Sequence, residues 1–474
     1  MRLAGLDIGT ATLCGLLLEA DTGDILSVAT EPNAFGLPGA APWEALQDPD
    51  AIFAAAARIL DGLLASHGQM GGGGRMSGSG GGGGGGGGRI GGIGVAGQMH
   101  GILYVDGDGR AVSPLFTWQD GRGDQELEGT TCAAMLSKAL GRPVSTGMGF
   151  VTHYYNVKNG LVPRSAACLC TIADYVAMRL AHAQAPVMDA TNAASLGCFD
   201  LRSLEFRCDA MSALDIDGAI FPRVSTSYFA LGETRNGTPV FAALGDNQAS
   251  FLGSVRDVRG SLLCNIGTGS QISLFSDDCL DVPGIDTRPF PLGGYIGVGA
   301  ALCGGRAYSL LHDFFERTLR LFTGTEVSAS WEAMNAIETA SLGTSGRLTV
   351  DTRFGGTRAD PGARGSIANL GMETFTPEHL IVGVREGIAA ELLGFYERFP
   401  EAARGAVTAL VGSGNGIRLN PGLQKVFEAR LRMKMRVPAH REETSFGAAL
   451  LAGVAGKVLP DLAAAGRLVR YLAE

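Results

Sequence analysis

Leu3-Ala-Gly-Leu-Asp-Ile-Gly-Thr10, near the start of the chain, has a counterpart far downstream in Ser261-Leu-Leu-Cys-Asn-Ile-Gly-Thr268. Each is an apolar run that ends in a polar residue, then isoleucine, glycine and threonine. After the first, Leu13–Leu18 is apolar enough for a returning strand, and Asp21-Thr-Gly23 turns the chain into a third strand around Ile25–Ala29. After the second, Gln271–Phe275 reads as the returning strand. The order then repeats. Asp48 can cap a helix through Ser66, because Ile52, Phe53, Ile59, Leu60, Leu63 and Leu64 follow a helical period. A buried strand, Ile90–Val95, then runs to Gly97. Downstream, Thr376-Pro377 opens a helix carrying Leu380, Val384, Ile388, Leu392 and Phe395, and a strand around Val407–Val411 ends at Gly412. Hairpin, helix, strand and glycine turn occur twice in the same order. Two duplicated α/β domains are expected, with a ligand cleft between them and a boundary near Phe241.

The 474 residues suit about three domains of ordinary size, or two large ones. With 46% hydrophobic and 18% charged residues, the chain has enough apolar material for large cores, which excludes disorder of the whole. A net charge of −9 gives no long-range pull toward phosphate backbones or anionic membranes, so neither nucleic acid nor membrane is an expected partner. Fourteen of the 72 glycines lie in 71–88, which reads as a disordered loop insertion. Glycine remains abundant elsewhere, and this points to tight turns and close backbone approaches to a ligand. The N-terminus has one early basic residue, and Asp7 interrupts its apolar run. A strand with a functional carboxylate fits better than an export signal. No run is long and apolar enough for a transmembrane helix. Nine cysteines without C-x-x-C spacing indicate reduced thiols in a cytoplasmic compartment, and no metal-ligand spacing of histidines occurs.

Several clusters carry chemistry. Asp7-Ile-Gly-Thr-Ala-Thr12 puts a carboxylate at a strand end, followed by a glycine turn with two hydroxyls. Such a turn can cradle phosphate oxygens while Asp7 holds hydrated Mg²⁺; the alternative is an ordinary hairpin. The second copy at Gly267-Thr268-Gly269 strengthens the phosphate reading. Gly92-Ile-Gly-Val-Ala-Gly97 fits G-x-G-x-x-G, but its glycines lie within a strand and no helix starts at the third. A dinucleotide site is rejected, and no P-loop is present. Gln98-Met99-His100-Gly101 follows a buried strand, where α/β sheets present ligand groups, although a histidine there can also be structural. Thr117-Trp-Gln-Asp-Gly-Arg122 offers an indole, an amide, a carboxylate and a guanidinium suited to polyol hydroxyls, or a solvated turn. Asp174 interrupts an apolar segment and needs partners or a function. Asp246, in Leu244-Gly-Asp-Asn-Gln248, projects from a strand end. It is placed either to accept a hydroxyl proton or to cap a helix.

Together these segments resemble the FGGY family of carbohydrate kinases, within the actin-like ATPase superfamily. The resemblance runs end to end apart from the glycine tract. It rests on Val95-Ala-Gly-Gln-Met-His-Gly101, Thr117–Arg122, Thr146-Gly-Met-Gly149, Asp189-Ala-Thr-Asn-Ala-Ala-Ser195, Leu244–Ser250 and Val411-Gly-Ser-Gly414. It implies two actin-like, ribonuclease H-like domains, residues 1–241 and 242–474, and transfer of the ATP γ-phosphoryl group to the terminal primary hydroxyl of a ketose. By the resemblance Asp246 is the catalytic base. Asp7, Thr10, Thr12, Gly267 and Thr268 take Mg·ATP, and Gly305, Gly412 and Gly414 lie on the nucleotide side. Gln98, Met99, His100, Asp120, Arg122, Asp174 and Asn192 line the sugar site with Asp246. The Gln-Met-His segment is shared with members acting on xylulose, whereas Trp-Gln-Asp-Gly-Arg and Asn-Ala-Ala-Ser look more like those acting on sedoheptulose. Ala173 replaces a histidine common in the family, and Gly-Ser-Gly replaces its usual Gly-Gly-Gly turn. The implied partners are a sugar and ATP, with monomer and homodimer both open. A sugar sensor without catalysis is the alternative from another class.

Overall fold

The computed structural model describes residues 1–68, 89–127, 129–326, 328–338, 347–357, 360 and 362–472. The glycine tract at 71–88 lies outside them. The chain forms two compact units: Met1–Arg256 with Arg288–Gly294 and Glu442–Val469, and Asp257–Thr287 with Tyr295–Arg441 and Arg470–Glu474. Packing therefore divides the chain differently from the boundary expected at Phe241. The helix that begins at Asp246 belongs to the first unit, and a late helix returns to it.

The first unit is built on a seven-stranded sheet. Its order is Ala230–Glu233, Pro239–Phe241, Ile90–Gly97, Arg2–Ile8, Thr12–Glu19, Ile25–Pro32, and Leu244–Gly245 also pairs with Ile90–Gly97. Arg2–Ile8 runs antiparallel to its hairpin partner and parallel to Ile90–Gly97, so Asp7 lies opposite both Cys14 and Ala96. The second unit repeats this frame. Ser261–Ile266 is antiparallel to Ser270–Ser276 and parallel to Ala409–Ser413, within a six-stranded sheet. Asn265 stands at the position of Asp7.

The helices form where the caps predict. Asp48 Oδ1 accepts the N–H groups of Asp50 and Ala51 at 3.0 Å, and the helix Pro49–Gly68 follows. Thr376 caps Pro377–Tyr396, with proline in the first turn, where its missing N–H costs nothing. Ile52, Ile59 and Leu63 pack with Leu6, Leu13 and Val95 in the first core; Ile388 and Leu392 pack with Leu262 and Leu274 in the second. Burial of this apolar surface is the main drive for each unit.

Much of the excess glycine serves helix packing rather than ligand approach. A Cβ on Gly5 would overlap the carbonyl of Ser445, and one on Gly94 that of Ala448. Gly253 and Gly447 likewise let Asp246–Ser254 and Glu443–Ala455 cross backbone against backbone. The strand Tyr295–Ala301 is absent from the sequence reading. Its Gly297 and Gly299 face the rings of Phe399 and Phe395.

Candidate active site

In the first unit, parallel strands end side by side. Ile90–Gly97 lies between Arg2–Ile8 and Leu244–Gly245, pairing Gly97 with Ile8 on one flank and with Gly245 on the other. Asp7 and Asp246 issue from these ends. The Oδ1 of Asp7 is buried and has no hydrogen-bond partner. Loss of solvent and the charge of Asp246 push its pKa up to about 8. Asp246 is the first residue of its helix and Gly245 is the cap, so the capping alternative does not apply. Burial raises its pKa to about 6, while the Arg288 guanidinium and a backbone N–H from Asn247 pull the other way. Two carboxylates and a cation thus share one poorly solvated corner, an arrangement suited to proton transfer and cation binding.

The first hairpin turn is already engaged. Thr10 Oγ1 accepts the indole N–H of Trp118 at 2.9 Å and donates to Gln98 Oε1 at 3.2 Å. Gln98 donates to Gln47 at 3.1 Å, and Gln47 donates to the Thr10 carbonyl at 3.1 Å. Thr12 is exposed. Met99 is buried, and a Cβ on Gly245 would press on its thioether. His100 is half-buried in the left-handed region, φ 74°, with its N–H donated to Ser195 Oγ at 3.1 Å and its Nδ1 2.7 Å from the Ser195 carbonyl.

Other residues expected at the sugar site bond to each other, although Asn192 Oδ1 is buried and has no partner. Asp120 and Arg122 are buried and paired through Arg122 Nε and Nη2, the latter at 3.1 Å. Asp120 also accepts the Ala45 N–H at 3.1 Å, while Arg122 reaches Asn156 and lies over the Phe116 ring at 4.1 Å. Asp174 forms a capping box with Thr171, whose hydroxyl donates to it at 2.6 Å; its other oxygen accepts from Asn192 at 3.2 Å. Burial pushes Asp174 up to about 7.

The second unit holds a cavity of about 800 Å³. Gly267, Thr268 and Gly305 line it with Tyr308, Trp331, Asn335, Asn415 and Gly416. The hairpin turn is fastened to the next helix, because Gly305 N–H donates to the Gly267 carbonyl at 2.9 Å and Arg306 N–H to that of Thr268 at 3.0 Å. Thr268 is exposed at this mouth. A glycine turn and a helix start, together with the rings of Trp331 and Tyr308, suit phosphates beside a flat base. Gly412 and Gly414 are not among the lining residues. Gly412 instead makes room for Met435 and Ile417, and Gly414 lies against the Ile266 carbonyl at φ 79°.

Arg288 beside Asp246, and Tyr308, Trp331 and Asn335 at the cavity of the second unit, are candidate residues absent from the sequence reading. Arg288 stands in Thr287-Arg-Pro-Phe290 with no local pattern to mark it. Among the described residues, His312, Asp313 and Glu316 lie close enough to share a metal ion, but His312 Nε2 is held by the Ala329 carbonyl at 2.8 Å and the ring stacks on Trp331.

The model of the FGGY carbohydrate kinase N-terminal domain matches residues 3–264, and that of the C-terminal domain residues 262–456. Sedoheptulokinase from Mus musculus is 28% identical over 400 residues, which cover 77% of this chain and 81% of that protein. Glycerol kinase from Thermus brockianus is 26% identical, covering 77% and 76%. Among solved structures, xylulose kinase from Rhodospirillum rubrum shares the fold at a TM-score of 0.81 and 21% identity, covering 100% of this chain and 93% of that one. No helix among the described residues is long and apolar enough to cross a membrane.

Proposed function

Because the chain belongs to the FGGY family of carbohydrate kinases, and is thus a phosphotransferase with an alcohol acceptor, we propose that it phosphorylates the terminal primary hydroxyl of sedoheptulose, giving sedoheptulose 7-phosphate. The observation that carries the mechanism is Asp246, a strand-end carboxylate beside Asp7 and Arg288. Asp246 accepts the hydroxyl proton as the oxygen bonds to the γ-phosphorus of ATP and the bond to the β-phosphate oxygen breaks, releasing ADP. A pKa of about 6 leaves it mostly ionised at neutral pH yet basic enough to help.

The orphaned, buried oxygen of Asp7 fits a divalent cation, which would relieve its lost solvation and the repulsion from Asp246. Asp7 would hold hydrated Mg²⁺ through water, a group that supplies charge neutralisation to phosphates. Thr268 and the helix start at Gly305 support the triphosphate, and Trp331 supports the base. His100 and Trp118 face the sugar. Most of the rate in this chemistry comes from positioning and charge stabilisation.

Sedoheptulose is favoured by the similarity to sedoheptulokinase over three quarters of the chain; a pentulose such as xylulose is the second reading, favoured by the shared Gln98-Met99-His100 segment. Initial rates of ADP formation with each sugar test this directly. Sedoheptulose is expected to exceed xylulose in kcat/KM, with glycerol poorer still, since a missing hydroxyl leaves buried partners unpaired. Better turnover of xylulose overturns the substrate. Asp246→Asn should lower kcat by about 10²–10⁴ while ATP binding persists, and near-normal turnover removes Asp246 as the base.

A further inference from the structure

The segment Asp189-Ala-Thr-Asn-Ala-Ala-Ser195 enters the sequence reading through Asn192 as a sugar ligand, yet its hydrogen bonds run to the strand ends that carry the reactive groups. Asp189 opens the short helix Ala190–Ser195 by accepting the Thr191 N–H at 2.8 Å. Thr191 is buried, and its Oγ1 accepts the N–H of Gly245, the residue before Asp246, at 3.1 Å. Asn192, also buried, donates through Nδ2 to Asp174 at 3.2 Å and to the carbonyl of Ala243 at 3.4 Å. One turn later, Ser195 Oγ accepts the His100 N–H at 3.1 Å and donates to the Asn192 carbonyl at 2.7 Å. The Ser195 carbonyl meets His100 Nδ1 at 2.7 Å.

These bonds fall at two adjacent, parallel strand ends, where Leu244 pairs with Ala96 and Gly245 with Gly97. Neither end is held by a regular ladder beyond that point. His100 adopts a backbone conformation that few non-glycine residues take, and such a residue persists only where its surroundings over-determine it. Gly245 is closely packed against Met99 and Gln248, and its N–H, one residue before Asp246, is fastened by Thr191. One helix supplies both restraints.

We propose that Ala190–Ser195 is a brace in which Thr191 and Ser195 are positioning residues: Thr191 sets the seat of the Asp246 carboxylate, and Ser195 sets the His100 imidazole. The inference rests on Asp246 as base and His100 as a sugar contact. It separates the two ends of the helix kinetically. A displaced base affects the chemical step, and a misplacement of about 1 Å can cost about 10²-fold in rate. A displaced imidazole weakens sugar binding instead.

The test is steady-state kinetics of the full chain with both substrates varied, alongside thermal unfolding. Thr191→Val, which keeps the shape and removes the acceptor, should lower kcat by about 10- to 100-fold with both KM values within about twofold. Thr191→Ser should restore most of that loss. Ser195→Ala, which keeps the carbonyl at His100 Nδ1 but frees the His100 N–H and so the strained main chain that carries the ring, should raise the sugar KM and leave the ATP KM unchanged. If valine prevents folding, Thr191→Ala carries the same expectation. Full kcat in folded Thr191→Val, or a loss that serine does not restore, overturns the brace, as does a Ser195→Ala enzyme with an unchanged sugar KM. Normal turnover in Asp246→Asn would instead overturn the assignment of the base, so the two failures are distinguishable.

Discussion

The base role proposed for Asp246 requires its ionised form, so kcat/KM should rise with pH through a midpoint near 6 and then level off. Burial sets that midpoint and Arg288 moderates it, because a nearby cation favours the carboxylate. Arg288→Gln removes the cation and leaves burial in place. The proton is then held more tightly, and the midpoint of the pH–rate profile should move upward, with the largest loss of activity on the acid side. A profile that stays put or moves down would show that Arg288 does not act on Asp246. Asp120 and Arg122 behave differently. Asp120 is the nearest partner of the buried Arg122, so Asp120→Ala leaves that cation only Glu44, at 3.6 Å, and Asn156; the loss should fall at or below the ~3 kcal/mol lower end for breaking a buried pair. The change acts on stability before it acts on sugar affinity.

Arg385 shows how elements shape the cavity in the second unit. It is buried on the helix Pro377–Tyr396 and donates to the carbonyls of Met334 at 2.8 Å and Ile337 at 2.7 Å, at the end of the helix Trp331–Ala336. A cation there satisfies carbonyls that a helix end leaves unpaired. Arg385 also donates to the Tyr308 hydroxyl at 3.1 Å, which donates to Asn335 at 3.1 Å, which donates to the Leu419 carbonyl at 2.8 Å. Tyr308, Asn335 and Leu419 all line the cavity. Tyr308→Phe cuts this chain at its middle. The ATP KM should rise about two- to tenfold, the range of one neutral hydrogen bond, with the sugar KM unmoved; an unchanged ATP KM would detach the chain from nucleotide binding. None of this was legible in the sequence, because each link joins residues far apart in the chain. The hairpins were legible, since their alternation and turns are local, and so were the helices capped by Asp48 and Thr376. Asp7 stood out because it interrupts an apolar run, and Asp246 because it follows one at a strand end. Asp120 and Arg122 looked like ligand groups because spacing alone cannot tell a pair that faces a ligand from one that faces itself.

Across the whole molecule, the duplicated frame carries unequal charge at equivalent strand ends: Asp7 in the first copy and Asn265 in the second, two residues before Gly267 of the cavity proposed to take phosphates. A second carboxylate there would repel the nucleotide. The first unit concentrates the cost, because burial holds Asp7 near 8, Asp174 near 7, and Asp189 and Asp246 near 6. All are raised above the unfolded-chain value, so the folded state binds more protons than the unfolded chain as pH rises above about 4. The stability they contribute is complete at low pH and is lost as pH passes through each folded value. Without cations or nucleotide, the protein should therefore lose stability steadily between about pH 5 and pH 8. Asp7 titrates last and dominates the upper part of that window. Asp7→Asn carries no proton to lose, so its unfolding midpoint should fall less steeply and level off above about pH 7, once Asp174 has titrated, while the natural chain goes on declining to about pH 8. Denaturant titrations at fixed temperature, with chelator present, measure the difference. If both chains fall with the same slope, Asp7 is not held protonated by its surroundings, and its place as the cation-binding carboxylate loses its physical basis.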